Sequence, residues 1–522
     1  MGEDPAGPRT IAGSPTSITA FVGRAARGIT ETPVTVTSFA DFDREFGGLW
    51  EGSTLGFAVR DFFANGGTTA IVVRLHRPET GRRAKPPRAA LAVGTLELVA
   101  ADEGAWGNAL RARVEVDTRP PAAALGETST ARFNLFVRDG TTGAIEEHCD
   151  LVVAPPEHPR QVTNVLELES QLVRVRAVGR KRPRASRAVV DAGKTVWDDN
   201  TVPTNATVTE PASDGRRLTA ASFIAPERPA EPRGVHALDQ ADQFNLLVIP
   251  PYTKSGSVDT AVVAGAARYC EERRAMLIVD GPPEWTTAAE VTGASASGVE
   301  QIVGTTSANA ALYVPRLRQP NPLHGDQVEG FAAAGAVAGV FARTDAHRGV
   351  WKAPAGVDAS VAGVSELAVA LTDRDVERLA SIGVNCLRPV PGAGVVVWGA
   401  RTLAGADATA SEWKYLPVRR LALFLEDSLV RGTQWVVFEP NGEALWAQLR
   451  LQVETFLHGL FLRGAFTGAT PRDAYDVRCD ATTMSQADID GGVVNISVGF
   501  APLKPAEFVV ITIRQIAGRT DG

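Results

Sequence analysis

A chain of 522 residues exceeds one hydrophobic core; at roughly 100–200 residues per domain it holds about three or four. Its composition, 44% hydrophobic and 22% charged, is globular, and a formal charge of −7 argues against a chain whose main task is gripping nucleic acid. The cysteines, Cys149, Cys270, Cys386 and Cys479, form no C-x-x-C pair, which argues against zinc or redox chemistry and for buried thiols in a reducing compartment.

The opening stretch MGEDPAGPRTIAGSP is polar and acidic at its start, unlike a secretory signal. The longest apolar runs, such as FAAAGAVAGVF at 331–341, fall short of the ~20 residues a membrane span requires. The expectation is a soluble product assembled in the cytoplasm.

After an arm-like beginning, Ser17–Arg24 (SITAFVGR) is a predicted strand. Ser38 can cap a helix over Phe39–Phe46, with Asp41 and Asp43 in the first turn where the helix dipole favours acids. A second helix over Ser53–Ala64 stops at Asn65-Gly66-Gly67, and Thr69–Leu75 (TAIVVRL) reads as a buried strand. Beyond His76 a basic, proline-bearing linker leads into β-rich sequence, with alternating runs at Leu110–Val116 and Ala131–Arg138. The basic stretch RKRPRASR (180–187) reads as a solvated loop.

From Gln243 strands and helices alternate: Phe244–Ile249, a helix Thr260–Arg273, Ala275–Val279, a helix near 286–303, Ala310–Val314, and an alanine-rich helix Val328–Ala342. Short apolar strands separated by helices imply a mostly parallel sheet covered on both faces. The remainder predicts helices over Asp373–Ile382, Pro417–Arg431 and Glu443–Leu462 (capped by Asn441), a strand at Val395–Trp398, and final strands at Tyr475–Cys479, Val493–Phe500 and Glu507–Ile516.

The expected fold class is α/β (α+β overall) and multidomain. The expected parts are an N-terminal arm with strand at 1–24, an α/β core split into 25–84 and 236–372, an inserted β-rich module at 85–235, a C-terminal domain at 373–490, and terminal strands at 491–522. EFVVITIRQI carries little of the charge or irregularity that blunts a sheet edge, so strand addition from another subunit is the simplest cover for it.

Enzyme signatures are weak. Ala192-Gly193-Lys194-Thr195 has Ala188 where a phosphate loop needs glycine, and Gly293 to Gly298 is off register for a nucleophile elbow. Asp280 follows a strand without a partner acid, Asp345 and His347 are two residues apart in a turn, and the histidines have no metal-ligand spacing. No cofactor or metal site emerges. An α/β hydrolase-like or nucleotide-binding enzyme is the rival reading, and another strand-swapping baseplate component is a third.

Asp345–Gly356 (DAHRGVWKAPAG) resembles the D-x-x-R-G-x-W-K-A-P-A-N segment of contractile phage tail sheath proteins, through Arg348, Gly349, Trp351, Lys352, Ala353 and Pro354, with Gly356 in place of the frequent Asn. FGGLW to TAIVVRL (46–75), Gly104-Ala105-Trp106-Gly107-Asn108, and VRRLALFLEDSLVRGTQWVVFEPNGEALWAQLR (418–450) resemble other segments of that family in the same order. The resemblance implies a non-enzymatic subunit that stacks in six-subunit rings around an inner tube and contracts to drive the tube through a target envelope. Its partners would be other copies of itself, the inner tube protein, and baseplate and cap proteins, with no nucleic acid and no membrane insertion. The particle would be a phage or a phage tail-like device.

Terminal arms exchange strands between subunits in that family. By position, the exchange candidates are Ser17, Ile18, Thr19, Ala20, Phe21 and Val22, then Val493, Val494, Asn495, Ile496, Ser497 and Val498. Phe508, Val509, Val510, Ile511, Thr512 and Ile513 complete the set. Arg419, Arg420 and Arg431 are candidates for facing an acidic tube; the alternative is pairing with Glu426, Asp427 or Glu439 within the subunit. The inserted module is expected on the outer surface.

Overall fold

In the computed structural model, which describes residues 10–116, 132–188, 192–198, 205–224, 232–293, 296–503 and 509–516, the first apolar run forms strand β1 (Thr19–Gly23) with every residue buried. It is followed by β2 (Val34–Val36), helices α1 (Phe39–Phe46) and α2 (Leu55–Ala64), and β3 (Ala70–Arg74). The Ser38 side chain caps α1 by accepting the Asp41 N–H at 3.1 Å, and Gly47 closes it at φ 81°. Phe42 and Phe46, four apart on one helix face, are buried beneath the sheet.

The inserted module contains β4 (Ala90–Val93), β5 (Leu96–Ala100), β6 (Leu110–Glu115), β7 (Arg132–Asp139), β8 (Ile145–Val152), α3 (Val162–Glu169), β9 (Val173–Val178) and β10 (Ala206–Glu210). Its strands pair antiparallel in the order β8-β7-β6-β10-β4-β5-β9, and α3 turns Val162, Val165 and Leu166 into the module's own core. That core runs from Ala89 to Ala212, so the expected span 85–235 is too long. Leu218, Phe223, Val235 and Leu238 instead pack under the main sheet. Loop-rich composition hid them, because a few apolar residues without periodicity carry no element signal.

The chain re-enters the core through α4 (Ala220–Phe223), β11 (Leu246–Val248), α5 (Thr260–Glu272), β12 (Met276–Asp280), α6 (Ala288–Thr292), α7 (Ala296–Val303) and β13 (Ala310–Val314). Then come β14 (Leu317–Asn321), β15 (Gln327–Phe331), α8 (Ala334–Arg348), β16 (Glu366–Leu367), α9 (Asp373–Ser381), β17 (Val384–Val390) and β18 (Gly394–Trp398). The main sheet has the order β18-β17-β13-β12-β11-β1-β3-β2, parallel except for the antiparallel edge strands β18 and β2. The mostly parallel, covered sheet expected from the sequence is present.

Two readings change here. The alanine-rich helix begins at Ala334, not Val328, because Gln327–Phe331 pairs antiparallel with β14. Residues 373–398 belong to the core rather than to a C-terminal domain: β17 pairs with β13, Leu312 opposite Val384, and Leu387 and Val397 lie in the core. The boundary therefore moves from 372 to beyond Trp398.

The composition of α8 follows from its neighbour. A Cβ at Gly335 would lie 2.3 Å from the Ala58 carbonyl oxygen, and one at Gly339 would lie 2.4 Å from that of Phe62. Glycines four apart on α8 thus face residues four apart on α2, and the two backbones meet directly.

The C-terminal domain contains α10 (Leu416–Gly432), α11 (Glu443–Leu462), α12 (Pro471–Ala474), β19 (Tyr475–Arg478), α13 (Gln486–Asp490), β20 (Val493–Phe500) and β21 (Val509–Ile516). Leu445, Leu449, Val453, Leu457 and Leu460 of α11 pack on the alternate residues Val494, Ile496 and Val498 of β20, as their periods require. Asn441 does not cap α11. Its side chain accepts the Trp446 indole N–H and donates to the Val493 carbonyl, while Gly442 takes the cap position. Among the described residues no helix is long and apolar enough to cross a membrane.

Candidate functional site

The Trp-Lys-Ala-Pro segment sits where the core meets the C-terminal domain. Gly349 ends α8 at φ 86°, and a Cβ there would lie 2.4 Å from the Trp351 ring, so glycine is needed both for the conformation and for the ring. Val350 and Trp351 reach into the C-terminal core, and the Arg463 guanidinium lies 5.1 Å from the Trp351 ring centroid. Lys352 turns back to donate to the Ala353 carbonyl at 2.9 Å, Pro354 is buried, and Arg348 faces Asp358 at 3.9 Å. Gly356 has φ 103°, a conformation glycine adopts most easily, which rationalises glycine at the position where Asn is frequent.

The arginines of α10 carry this junction. Arg420 makes a paired contact with Asp345, at 2.6 and 2.9 Å, with both side chains about 3% exposed, and also donates to the Thr16 carbonyl at 3.0 Å. Arg419 donates to Asn309 at 2.9 Å, approaches Glu426 at 3.5 Å and lies over the Trp413 ring; burial lowers its pKa from the ordinary arginine value. Arg431 binds Asp242 at 2.9 Å and Asp427 at 3.2 Å. Arg419 and Arg420 lie on the α10 face that packs against the core, not toward a tube, whereas Arg431 stays about one-third exposed beside its two carboxylates. The within-subunit alternative holds for Glu426 and Asp427.

The N-terminal exchange strand is also corrected. β1 is central, bonded to β11 on one edge and β3 on the other, so Thr19, Ala20, Phe21 and Val22 have no free edge to give a neighbour. Ser17 and Ile18 lead into it, and the Ile18 N–H donates to the Asn245 side chain at 3.0 Å. The TAFVG run, five buried residues in a row of which only Thr19 is polar, is the pattern of a central strand, and it was the available signal. Residues 10–16 lie against the C-terminal domain. Ile11 is buried beside Gly432, where a Cβ would lie 2.7 Å from it, and the Ser14 N–H donates to the Ser428 hydroxyl at 2.9 Å. Residues 1–9 of the expected arm lie outside the described residues.

At the other terminus, β20 and β21 form an antiparallel hairpin within the chain, from Val493 opposite Ile516 to Phe500 opposite Val509. The sheet order is β19-β20-β21, so among the described residues the far edge of β21 has no partner. Phe508 lies outside the described residues.

The candidates for chemistry do not converge. Asp280 accepts the N–H groups of Ala333 and Ala334 at 2.7 and 2.8 Å and so caps α8 from β12; burial pushes its carboxyl up to about 6. Asp345 pairs with Arg420, while His347 lies against the Arg343 carbonyl, so no acid–base pair forms. Ala192 and Gly293 stand in turns, and among the described residues no group of three His, Cys, Asp or Glu is placed to hold a metal ion.

Comparison with known proteins agrees with this architecture. Residues 233–403 match the family model of the phage tail sheath protein central domain, and residues 408–516 that of the phage tail sheath C-terminal domain, together more than half of the chain. The tail sheath protein of Vibrio phage KVP40 is 30% identical over 191 residues, 36% of this chain. A putative prophage major tail sheath protein of Pseudomonas aeruginosa (strain UCBPP-PA14) is 25% identical over 292 residues, 53% of this chain and 67% of that one. The chain matches only about a quarter (26%) of the length of the KVP40 protein. Among solved structures, the contracted helical sheath of the anti-feeding prophage shares the fold with TM-score 0.56 and 22% identity, covering 100% of this chain and 98% of that one. A sheath tail protein from Listeria innocua does so with TM-score 0.62 and 13% identity, covering 97% and 96%. The chain belongs to the contractile phage tail sheath family.

Proposed function

We propose that this chain is the repeating subunit of a contractile sheath, polymerising as stacked rings around an inner tube and shortening to drive that tube through an envelope. The observation that carries the reading, beside family membership, is the eight-residue strand β21, whose outer edge meets no other strand among the described residues. An unblunted edge of that length is a template for another chain. A strand contributed by a neighbouring subunit covers it and links subunits through backbone hydrogen bonds, which tolerate rotation of the bodies they join. With β1 locked in the core, the acceptor is the pair β20 and β21, and the donor is a segment that precedes β1 in the neighbour.

The work of contraction is conformational. Energy is stored at assembly and released as weaker contacts between subunits are replaced by larger ones, without a nucleotide or cofactor on this chain. The inner tube, baseplate and cap proteins are the remaining partners, and assembly takes place in the cytoplasm before release of the particle. The inserted module, with its own core, projects outward, where added mass does not obstruct packing around a tube.

Negative-stain microscopy of the chain co-expressed with its tube protein tests this. Cylinders of uniform diameter are expected; small uniform particles accompanied by substrate turnover would overturn it.

A further inference from the structure

Helix α8 ends beside a cleft of about 390 Å³ whose charged lining is mostly cationic. Arg343, His347 and Arg348 reach it from the C-terminal part of α8, Lys352 from the loop beyond, and Asp358 is the acid on its wall. Neutral groups hold two of these cations in place. Arg343 donates to the Asn65 carbonyl at 3.1 Å and to the Ser360 carbonyl at 2.5 Å. The Lys352 ammonium donates to the carbonyls of Ala353 and Ala355 at 2.9 and 3.5 Å. Arg348 approaches Asp358 at 3.9 Å, with both side chains more than half exposed. Among the described residues no other carboxylate comes within ion-pair distance of Arg343, Arg348 or Lys352.

Cations at the end of a helix are ordinary, because its last carbonyls present a partial negative charge of roughly half a unit. Three full positive charges, set against that and one loosely placed carboxylate, leave an excess of about one and a half units in a concave space. Carbonyl oxygens orient the guanidinium and ammonium groups without cancelling their charge, so the cleft attracts anions. Apolar side chains stand beside it. The Gly356 N–H donates to the Val397 carbonyl at 2.9 Å, which brings the exposed Val357 and the exposed Trp398 to neighbouring positions. Arginine and tryptophan together are what contact surfaces favour.

We infer that this cleft is an interface between copies of the chain and receives carboxylates projecting from a second copy. The chain carries a formal charge of −7, and its surface outside the cleft is more negative still, so each copy offers the complementary charge to the next. Residues 476–490 illustrate this, with four aspartates against Arg478, which pairs with Asp476 at 2.8 Å. Asp476 and Asp490 are exposed, and the stretch runs directly into β20, a strand that the assembly reading puts at a subunit boundary. A contact of this kind orients subunits and steers their approach, and it weakens as salt is added. The inference rests on the assembly reading above, and the two fail separately.

The test uses the full-length, unaltered chain in cylinders formed with its tube protein, so the folding of a variant does not enter. A water-soluble carbodiimide condenses a lysine amine with a carboxylate in direct contact, with loss of water. Dimers of the chain are separated on a denaturing gel, digested, and their linked peptides mapped by mass spectrometry. Lys352 joined to an aspartate or glutamate of this chain other than Asp358 is expected. Its yield should exceed that from unassembled chains at least about ten-fold, because assembly holds the two groups at high effective concentration. Cylinders in which Lys352 gives no such link, or links only to the tube protein, overturn the inference and leave the sheath reading standing. The same link at equal yield in unassembled chains places the contact within one copy and overturns the inference as well. Absence of cylinders overturns both.

Discussion

Arg420 and Asp345 show how much one buried pair can hold. Their charges lie out of water at the meeting of α8, α10 and the N-terminal segment, and the pair's net contribution is modest because desolvation offsets the attraction. Removing one partner is another matter, since it strands the other charge. Arg420→Ala is expected to cost about 3–5 kcal/mol in urea denaturation, and Asp345→Ala with Arg420→Ala less than the sum of the two single changes. Asp280 makes a pH prediction. Burial outweighs its two amide bonds and the nearby Arg316 charge, so its folded pKa is raised from 3.8 to about 6. Its favourable contribution is fully present below the unfolded value and is lost as pH rises through the folded value. Asp280→Asn, which retains an acceptor for α8, is expected to show a smaller stability loss than the parent between pH ~4 and ~7, read by denaturant titration at each pH. At this scale the sequence offered candidates but not partners. Asp345 stood near His347 along the chain, whereas its partner Arg420 lies 75 residues away.

Among elements, α2 and α8 carry a sharp contrast. Gly339→Ala places a methyl 2.4 Å from the Phe62 carbonyl oxygen and must push the helices apart, an overpacking cost of about 1–3 kcal/mol. Gly459→Ala, on the exposed side of α11 with nothing within 4 Å, is expected to stabilise by about 0.5–1 kcal/mol. The same chemical change therefore has opposite signs in two helices, and thermal melts of the two variants against the parent check it. Helix boundaries were largely legible: Ser38 and Gly47 bracket α1, and α11 spans the predicted residues, because caps and periodicity act locally. The strand at Gln327–Phe331 was not, because its partner β14 turns a weak local preference into a hairpin.

For the whole molecule, the decisive correction is the place of β1. Deleting residues 1–9 is expected to leave the circular dichroism and melting of the chain unchanged while abolishing cylinders in the microscope. Deleting residues 1–24 removes the strand between β11 and β3 and is expected to leave the chain unfolded. Cylinders from the shorter deletion would refute the strand-donor role of the first residues. The family, the class of fold and most helices were determined by the sequence itself, since they depend on contiguous motifs, caps and hydrophobic period. Which strand is central, where the core ends and the module begins, and which carboxylate each arginine meets were decided only in three dimensions. Those depend on partners far apart along the chain, and burial of one group against another has no local signature.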